Sequence, residues 1–297
     1  MKRVWIILGL LLLLAGCQSE EGAHLQEHAG AKDADVSISL ETIPEQPLAG
    51  EETALAITVK DRKGGAALLI PGHERILHAA IVSEDLDIFG HVHPEDSGVV
   101  TGEMRESGRY TVRVTFPRAG GYLIAVDLAT ADGEASRVFP LTVQGEAIAG
   151  YPATDMAQRK DVRSYPLERD AMTGPVSIVA SEATPTYTVT LAAGHLDAGV
   201  PAELRFRFEQ DDAPLRDMEP YLGAGMHLLA VKEDLSQAMH LHGTPIGGSG
   251  GLFGPDMLAE TFFGEPGRYA LFAQAKHNGS LIIARFMVEV EGHEDGH

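Results

Sequence analysis

The chain contains one segment twice, and that repetition fixes the scale of whatever it folds into. His78, Glu84, Asp85, Leu86, His91, Val92 and His93 return 149 positions later as His227, Glu233, Asp234, Leu235, His240, Leu241 and His242. Further on, Gly121-Tyr122 aligns with Arg268-Tyr269, Asp132-Gly133 with Asn278-Gly279, and Phe139 to Val143 with Phe286 to Val290, now at offsets of 146 to 147. A small loop deletion in the second copy accounts for the change. Self-similarity of this period predicts two domains of one architecture, the first over 36–146 and the second over 184–292.

Within the first copy, short alternating or apolar runs at 54–60, 75–83, 109–116, 121–128 and 136–143 are separated by Gly, Pro, Asp and Asn. Runs of this length and spacing predict antiparallel strands of a β-sandwich, and no long segment carries a helical period, so the fold class is all-β. The stretch 147–183, rich in Pro, Ala and charge, with Tyr151-Pro152 and Tyr165-Pro166, is read as a linker holding one short helix near 155–163. The glycine-rich run from Gly243 to Gly254 lacks the Gly-Lys-Ser/Thr ending of a phosphate loop and is read as a flexible crossing between strands.

The duplicated segment also carries the chemistry. Alternate residues of a strand share a face, so His91 and His93 point one way and Val92 the other, and His240, Leu241 and His242 repeat the arrangement. A hairpin turning at Glu84-Asp85-Leu86 returns this strand beside the one that holds His78. If paired positions sum to 169 or 171, His78 lies opposite His91 or His93, within cross-strand reach. The same geometry holds for His227 with His240 and His242. This predicts a three-histidine metal site in each domain, formed by His78, His91 and His93 and by His227, His240 and His242. Neutral imidazole is a borderline-soft donor, which makes copper or zinc the expected cofactor. A competing reading has the histidines ordering the turn through hydrogen bonds to Glu84-Asp85 and Glu233-Asp234, in a structural or interaction module without metal. In that case the ring nitrogens bond to backbone or carboxylate and do not converge.

Other candidates reduce to structure. Met226 and Met239 neighbour His227 and His240 on the opposite strand face and are assigned to the core. The acidic pairs Glu84-Asp85 and Glu233-Asp234 are assigned to turn hydrogen bonding. His277 has no histidine counterpart in the first copy, while His24, His28, His293 and His297 fall in the terminal segments, the last two in a tail over 293–297. No Ser-His-Asp order, nucleophile elbow or HExxH helix occurs, so no enzyme is expected.

The N-terminus reads as an address. Lys2 and Arg3 precede an apolar run from Val4 to Leu14 that is too short to span a bilayer, and together they form a signal peptide over 1–16. Leu14-Ala15-Gly16-Cys17 resembles the lipobox of bacterial lipoproteins, which makes Cys17 the lipidation site. It is the chain's one cysteine, so neither an intramolecular disulfide nor a cysteine zinc site can form. Residues 17–35 are small and charged and read as a flexible tether. The expected location is therefore the extracytoplasmic face of a cell membrane or outer membrane, with the bilayer and an envelope protein as partners. The net charge of −20 repels phosphate backbones and argues against nucleic-acid binding.

The stretches from His78 to Pro94 and Tyr221 to His242, with Pro266-Gly267-Arg268-Tyr269 and Phe286 to Val290, resemble the YtkA-like and FixH-like secreted domains of bacterial envelopes. Their motif runs approximately as Met-His-Leu, Ser-Glu-Asp-Leu, then His-x-His-Pro. The resemblance implies immunoglobulin-like or cupredoxin-like sandwiches and, for some relatives, copper handling. It carries over to His78, His91 and His93 and to His227, His240 and His242. Pro94 keeps the motif, whereas Gly243 departs from it and leaves the geometry of the second loop open.

Overall fold

In the computed structural model, residues 34–146, 176–178, 187–249 and 251–292 are described. The signal peptide, Cys17, nearly all of the tether, the expected helix near 155–163 and the terminal histidines lie outside them. The first sandwich begins with β1 (Val36–Ile43), β2 (Glu52–Asp61), β3 (Leu69–Ile70), β4 (Leu77–Ser83) and β5 (Phe89–Val92). It continues, after α1 (Gly102–Ser107), with β6 (Arg109–Thr115), β7 (Gly120–Thr130) and β8 (Gly133–Val143). The second comprises β9 (Val176–Ile178), β10 (Tyr187–Ala193), β11 (Pro201–Gln210), β12 (Ala213–Pro214), β13 (Met226–Lys232), β14 (Ala238–Ser249), β15 (Leu252–Phe262), β16 (Gly267–His277) and β17 (Ser280–Val290).

The two copies share their pairing. One sheet of the first sandwich runs β1-β2-β6, and the other runs β8-β7-β4-β5 with β3 beside the end of β7. Their counterparts are β10-β11-β15 and β17-β16-β13-β14, all antiparallel. These are two β-sandwiches, as the strand spacing predicts, and their strand order is immunoglobulin-like, as the resemblance implies. Strand β6 shows why the layers close: Tyr110, Val112 and Val114 point inward while the residues between them face outward. Each sandwich has its own apolar centre, around Ile57, Ile81 and Phe116 in the first and Phe206, Phe208 and Phe286 in the second.

The copies part after the histidine hairpin. In the first, Pro94 opens a 3-10 turn over Pro94–Ser97, and α1 follows, capped by the Thr101 side chain and ended by Gly108 at φ 67°. No residue of α1 is buried, so it leaves no apolar period in the sequence. In the second copy, β14 runs on past Gly243, leaves β13 and pairs with β15 from Thr244, which links both sheets into one path. A Cβ at Gly243 would stand 2.8 Å from Met226 Cε, so the close approach of β13 and β14 requires glycine here. The Gly243–Gly254 run is therefore mostly a β-hairpin rather than a loose crossing. Gly247, at φ 83°, sits at the register shift within β14 between Ile246 and Gly248, and Gly251, also at φ 83°, lies in the turn beyond the Ser249–Leu252 pair. Strand β9 lies within the expected linker and pairs with β10, extending the second sheet by an edge strand.

Strands β4 and β13 do not alternate. All of β4 is buried, as is β13 apart from Lys232, because a further layer covers their outer faces. Ala80, Val82, Phe89, Leu123 and Ala125 of the first sandwich pack against Leu229, Val231, Phe272 and Ile283 of the second. The Phe89 and Phe272 rings stack at 4.6 Å and 9°. Arg285 reaches across to the Leu86 carbonyl, with Asp87 3.5 Å from its guanidinium. Truncating Phe272 to alanine should destabilise the protein by about 3–5 kcal/mol and split its unfolding into two transitions. Urea denaturation followed by fluorescence and circular dichroism would show this; a single transition shifted by less than ~1 kcal/mol would contradict this account of the interface.

Candidate metal centre

The hairpin register places the histidines. Ala79 pairs with Val92 and Ala80 with His91, so paired positions sum to 171 and His78 falls beside His93. In the second copy His227 pairs directly with His242. Val92 and Leu241 point into their sandwich cores, which turns the flanking histidines outward, onto the faces that meet at the domain interface. His78, His91, His93 and His227 are at most 6% exposed.

The expected pair of separate sites is thereby merged into one. The two sets meet: His91 and His240 ring centroids are 4.8 Å apart, and His78 and His240 are 4.9 Å apart. Each set has the same internal shape. Ring separations of 5.2, 4.8 and 4.7 Å among His78, His91 and His93 become 5.2, 4.8 and 4.8 Å among His227, His240 and His242. A ring nitrogen from each of His78, His91 and His93 lies within 4.8 Å of the others, and His91, His227 and His240 form a second such group across the interface. His73, from the turn before β4, stacks on His242 at 3.5 Å.

The protons of the first set point outward. His78 Nε2 donates to the Gly72 carbonyl at 3.1 Å, His91 Nδ1 to Gln274 Oε1 at 2.8 Å, and His93 Nδ1 to Asp96 Oδ2 at 3.0 Å. A neutral imidazole has one N–H, and each acceptor fixes which nitrogen carries it. The remaining nitrogens, His78 Nδ1, His91 Nε2 and His93 Nε2, therefore present lone pairs to one another. His78 Nδ1 is 3.1 Å from each of the other two. Three acceptors facing inward in a buried site repel and lack donors. A cation at their centre removes both defects. Two nitrogens on one tetrahedral ion at roughly 2.0–2.1 Å stand about 3.3–3.4 Å apart, so the two spacings to His78 Nδ1 need to open by only a few tenths of an ångström. In the second set His227 Nε2 donates to the Tyr221 carbonyl at 3.0 Å, and His227 Nδ1 lies 3.0 Å from His240 Nε2.

The electrostatics agree. Burial, then the neighbouring His93, pushes His78 down to about 3. Burial, then His78 across the interface, does the same to His227, also to about 3. His91 and His240 are held well below the ordinary imidazole value by burial first and facing imidazoles second. Burial also lowers His93, against the pull of Asp96. These five imidazoles are thus neutral at physiological pH, the form in which imidazole ligates metal.

Four contributors escaped the sequence reading. Asp96 returns to His93 only because Pro94 starts a 3-10 turn. Gln274 backs His91 from the other domain, and Asp127 stands 3.9 Å from His240 Nδ1 in the reciprocal position. These two are counterparts, paired with His227 and His78 respectively; burial raises Asp127 to about 6. Their signal was present as a polar residue at one place in each apolar run, 122–128 and 269–275. His73 left no such trace: both copies make the same turn before the first histidine strand, Gly72 pairing with Arg75 and Tyr221 with Ala224, but the second copy has Leu222 where the first has His73.

The other assignments can be placed as well. Met226 is fully buried in the second core, and Met239 packs against that core. Asp85 accepts from Ser83 and Asp87, and Asp234 from Ser236, both within the turn. Neither turn bonds to the six motif histidines among the described residues. His277 stands apart, held between Tyr187 at 2.9 Å and Asp217 at 3.1 Å. A cavity of about 320 Å³ at the interface is lined by His78, His240 and His242 together with Asp127 and Met239, and gives the cluster a route to solvent.

A family model described as a domain of unknown function, DUF8832, matches residues 31–146 and 182–292, one match for each sandwich. No curated protein matches the chain. Among solved structures the chain is similar to the Escherichia coli adhesin FdeC, at 12% identity and a TM-score of 0.24 over 89% of this chain and 66% of that one. It is also similar to domains 1–6 of the surface layer protein SbsC, at 10% identity and a TM-score of 0.24 over 89% and 29%. Titin Ig tandem domains A164-A165 match at 11% identity and a TM-score of 0.20 over 87% and 97%. The chain thus spans just under two thirds of the adhesin structure and less than a third of the surface layer structure.

The depressed histidines set the acid response of the metal-free protein. In the unfolded chain they titrate near 6.5, whereas His78 and His227 titrate near 3 in the fold. As pH falls through this window the unfolded state takes up protons first, so stability is retained above about 6.5 and lost progressively toward 3. The folding equilibrium should weaken about tenfold per pH unit for each such histidine. Thermal melts between pH 8 and 4 would show it, with a shallower fall in His78→Gln. A flat profile would mean that the imidazoles are not desolvated as described.

Proposed function

The chain belongs to the DUF8832 family through both of its sandwiches, and from its convergent imidazoles we propose that it is a non-enzymatic metal-binding lipoprotein of the bacterial cell envelope. The observation that carries this reading is the inward arrangement of His78 Nδ1, His91 Nε2 and His93 Nε2, whose protons are all committed elsewhere. Nitrogen donors without oxygen ligands disfavour calcium and magnesium and suit copper or zinc. Second-sphere partners that fix the tautomer of each ligand, as Gly72, Gln274 and Asp96 do here, are the usual accompaniment of a metal-binding histidine.

Lipid on Cys17 would hold the sandwiches near a membrane surface, where the protein takes up copper or zinc or passes it to an envelope partner through the interface cavity. The resemblance to YtkA-like and FixH-like domains points to the same setting. The turn-ordering alternative is less well supported, because the nitrogens converge rather than bond to Glu84-Asp85 or Glu233-Asp234.

Calorimetric titration of the mature chain with copper(II) and zinc(II) tests the proposal. The His91→Ala/His93→Ala double variant should lose about 100-fold or more in affinity, since removing a second-sphere partner alone costs about 10–100-fold. Equal, weak binding by the two proteins would refute the metal reading. Gln274→Leu, which leaves every ligand in place, should weaken binding about 10–100-fold by releasing the His91 ring; unchanged affinity would remove Gln274 from the site.

A further inference from the structure

The duplication places two ligand sets in contact, which raises the question of how many ions they hold. The geometry points to a two-ion centre: we propose that the cluster binds two soft monovalent cations at once, copper(I) being the biological one, with one ion on each three-histidine set. This inference rests on the metal-binding reading above and goes beyond it in stoichiometry, charge and arrangement.

Three observations support it. First, the second set reproduces the first nearly ring for ring, and its closest nitrogens, His227 Nδ1 and His240 Nε2, are 3.0 Å apart against 3.1 Å for His78 Nδ1 and His91 Nε2. The His242 ring stands 4.8 Å from the His227 ring, as His93 does from His78; the nitrogens already converged around His227 and His240 include that of His91 rather than His242, so a second ion requires the His242 ring to turn toward it. Second, the sets are adjacent but not superimposed. A nitrogen of His91 comes within 4.8 Å of ligand nitrogens of both His227 and His240, so two ions would face each other across a shared wall of imidazole.

Third, the surrounding charge suits two single positive charges. Each set has one carboxylate behind one of its rings, Asp96 at 3.0 Å from His93 and Asp127 at 3.9 Å from His240. An imidazole ligand brings no negative charge, so nothing else in the first sphere offsets the ions. At a given separation, two divalent ions repel about four times as strongly as two monovalent ones. Arg75 and Glu95, the further charges that act on His93, are of opposite sign, so the two carboxylates balance two monovalent ions and leave two divalent ions in excess. The cavity beside His78, His240 and His242 offers an approach to both positions.

Native mass spectrometry of the mature chain titrated anaerobically with copper(I), and separately with redox-inert silver(I), tests the count. The wild type should take up two ions of either metal but only one zinc(II). His78→Ala/His93→Ala and His227→Ala/His240→Ala should each retain one silver ion. A single silver ion in the wild type would overturn the two-ion centre while leaving metal binding intact, and uptake of two zinc ions would overturn the charge argument. No uptake of any metal would instead refute the underlying reading. The wild-type count decides without the variants, so a variant that fails to fold does not blunt the test.

Discussion

The packing of one sheet's outer face against another's governs this structure. A solitary immunoglobulin-like sandwich has solvent on both sides, and its strands then alternate between apolar and polar residues. Here Ala80 and Val82 on β4, with Leu229 and Val231 on β13, lie on faces that would otherwise be wet. Burying them against each other brings the two domains together through sheets that carry the same histidine hairpin. The histidines occupy the same faces, so the packing that hides the apolar residues also gathers the imidazoles. Metal chemistry and domain association therefore depend on one set of contacts.

That arrangement makes the cluster electrostatically frustrated. Imidazoles at the edge of a protein titrate near neutrality and turn toward water, whereas these are enclosed by protein and by one another. Their outer nitrogens are satisfied by Gly72, Tyr221, Gln274 and Asp96, which leaves inner nitrogens with nothing to accept from. Buried acceptors in that state are a net cost to folding. The apolar layer around Phe89 and Phe272 must supply the stability that holds the rings in place. Such a site is preorganised for a cation because the cost of assembling it is met by folding rather than by binding.

Much of this was legible in the sequence, for reasons that can be located. The spacing of turns gave the strands, and the period of two put His91 and His93 on one face. The hairpin register was narrowed to two values, of which the sum of 171 is found. The apolar run from Leu77 to Val82, interrupted only by His78, was itself a sign of burial on both sides, but a run of that kind does not say what covers the second face. The meeting of the two triads was consequently out of reach. So was Gln274, whose bond to His91 spans 183 positions. Local exceptions were hidden for a different reason: α1 packs only Met104 against the core and has no fully buried residue, and Asp96 reaches His93 only through the turn that Pro94 begins.

The tandem form of the protein has a physical consequence of its own. Two identical chains related by a true twofold axis would place the same residue behind each hairpin, because any substitution would appear on both sides. Covalent duplication lifts that restriction, and the two halves differ where they touch the histidines. A neutral amide, Gln274, supports His91, whereas a carboxylate, Asp127, stands near His240. Asp96 backs His93, whereas the corresponding position in the second copy is Pro245 within a continuing strand. The difference between Pro94 and Gly243 decides whether the chain after the hairpin folds back onto its own ligand or runs on into the next sheet. Each triad thus has its carboxylate behind a different ring, so the two halves of the cluster match in ring placement while differing in local field.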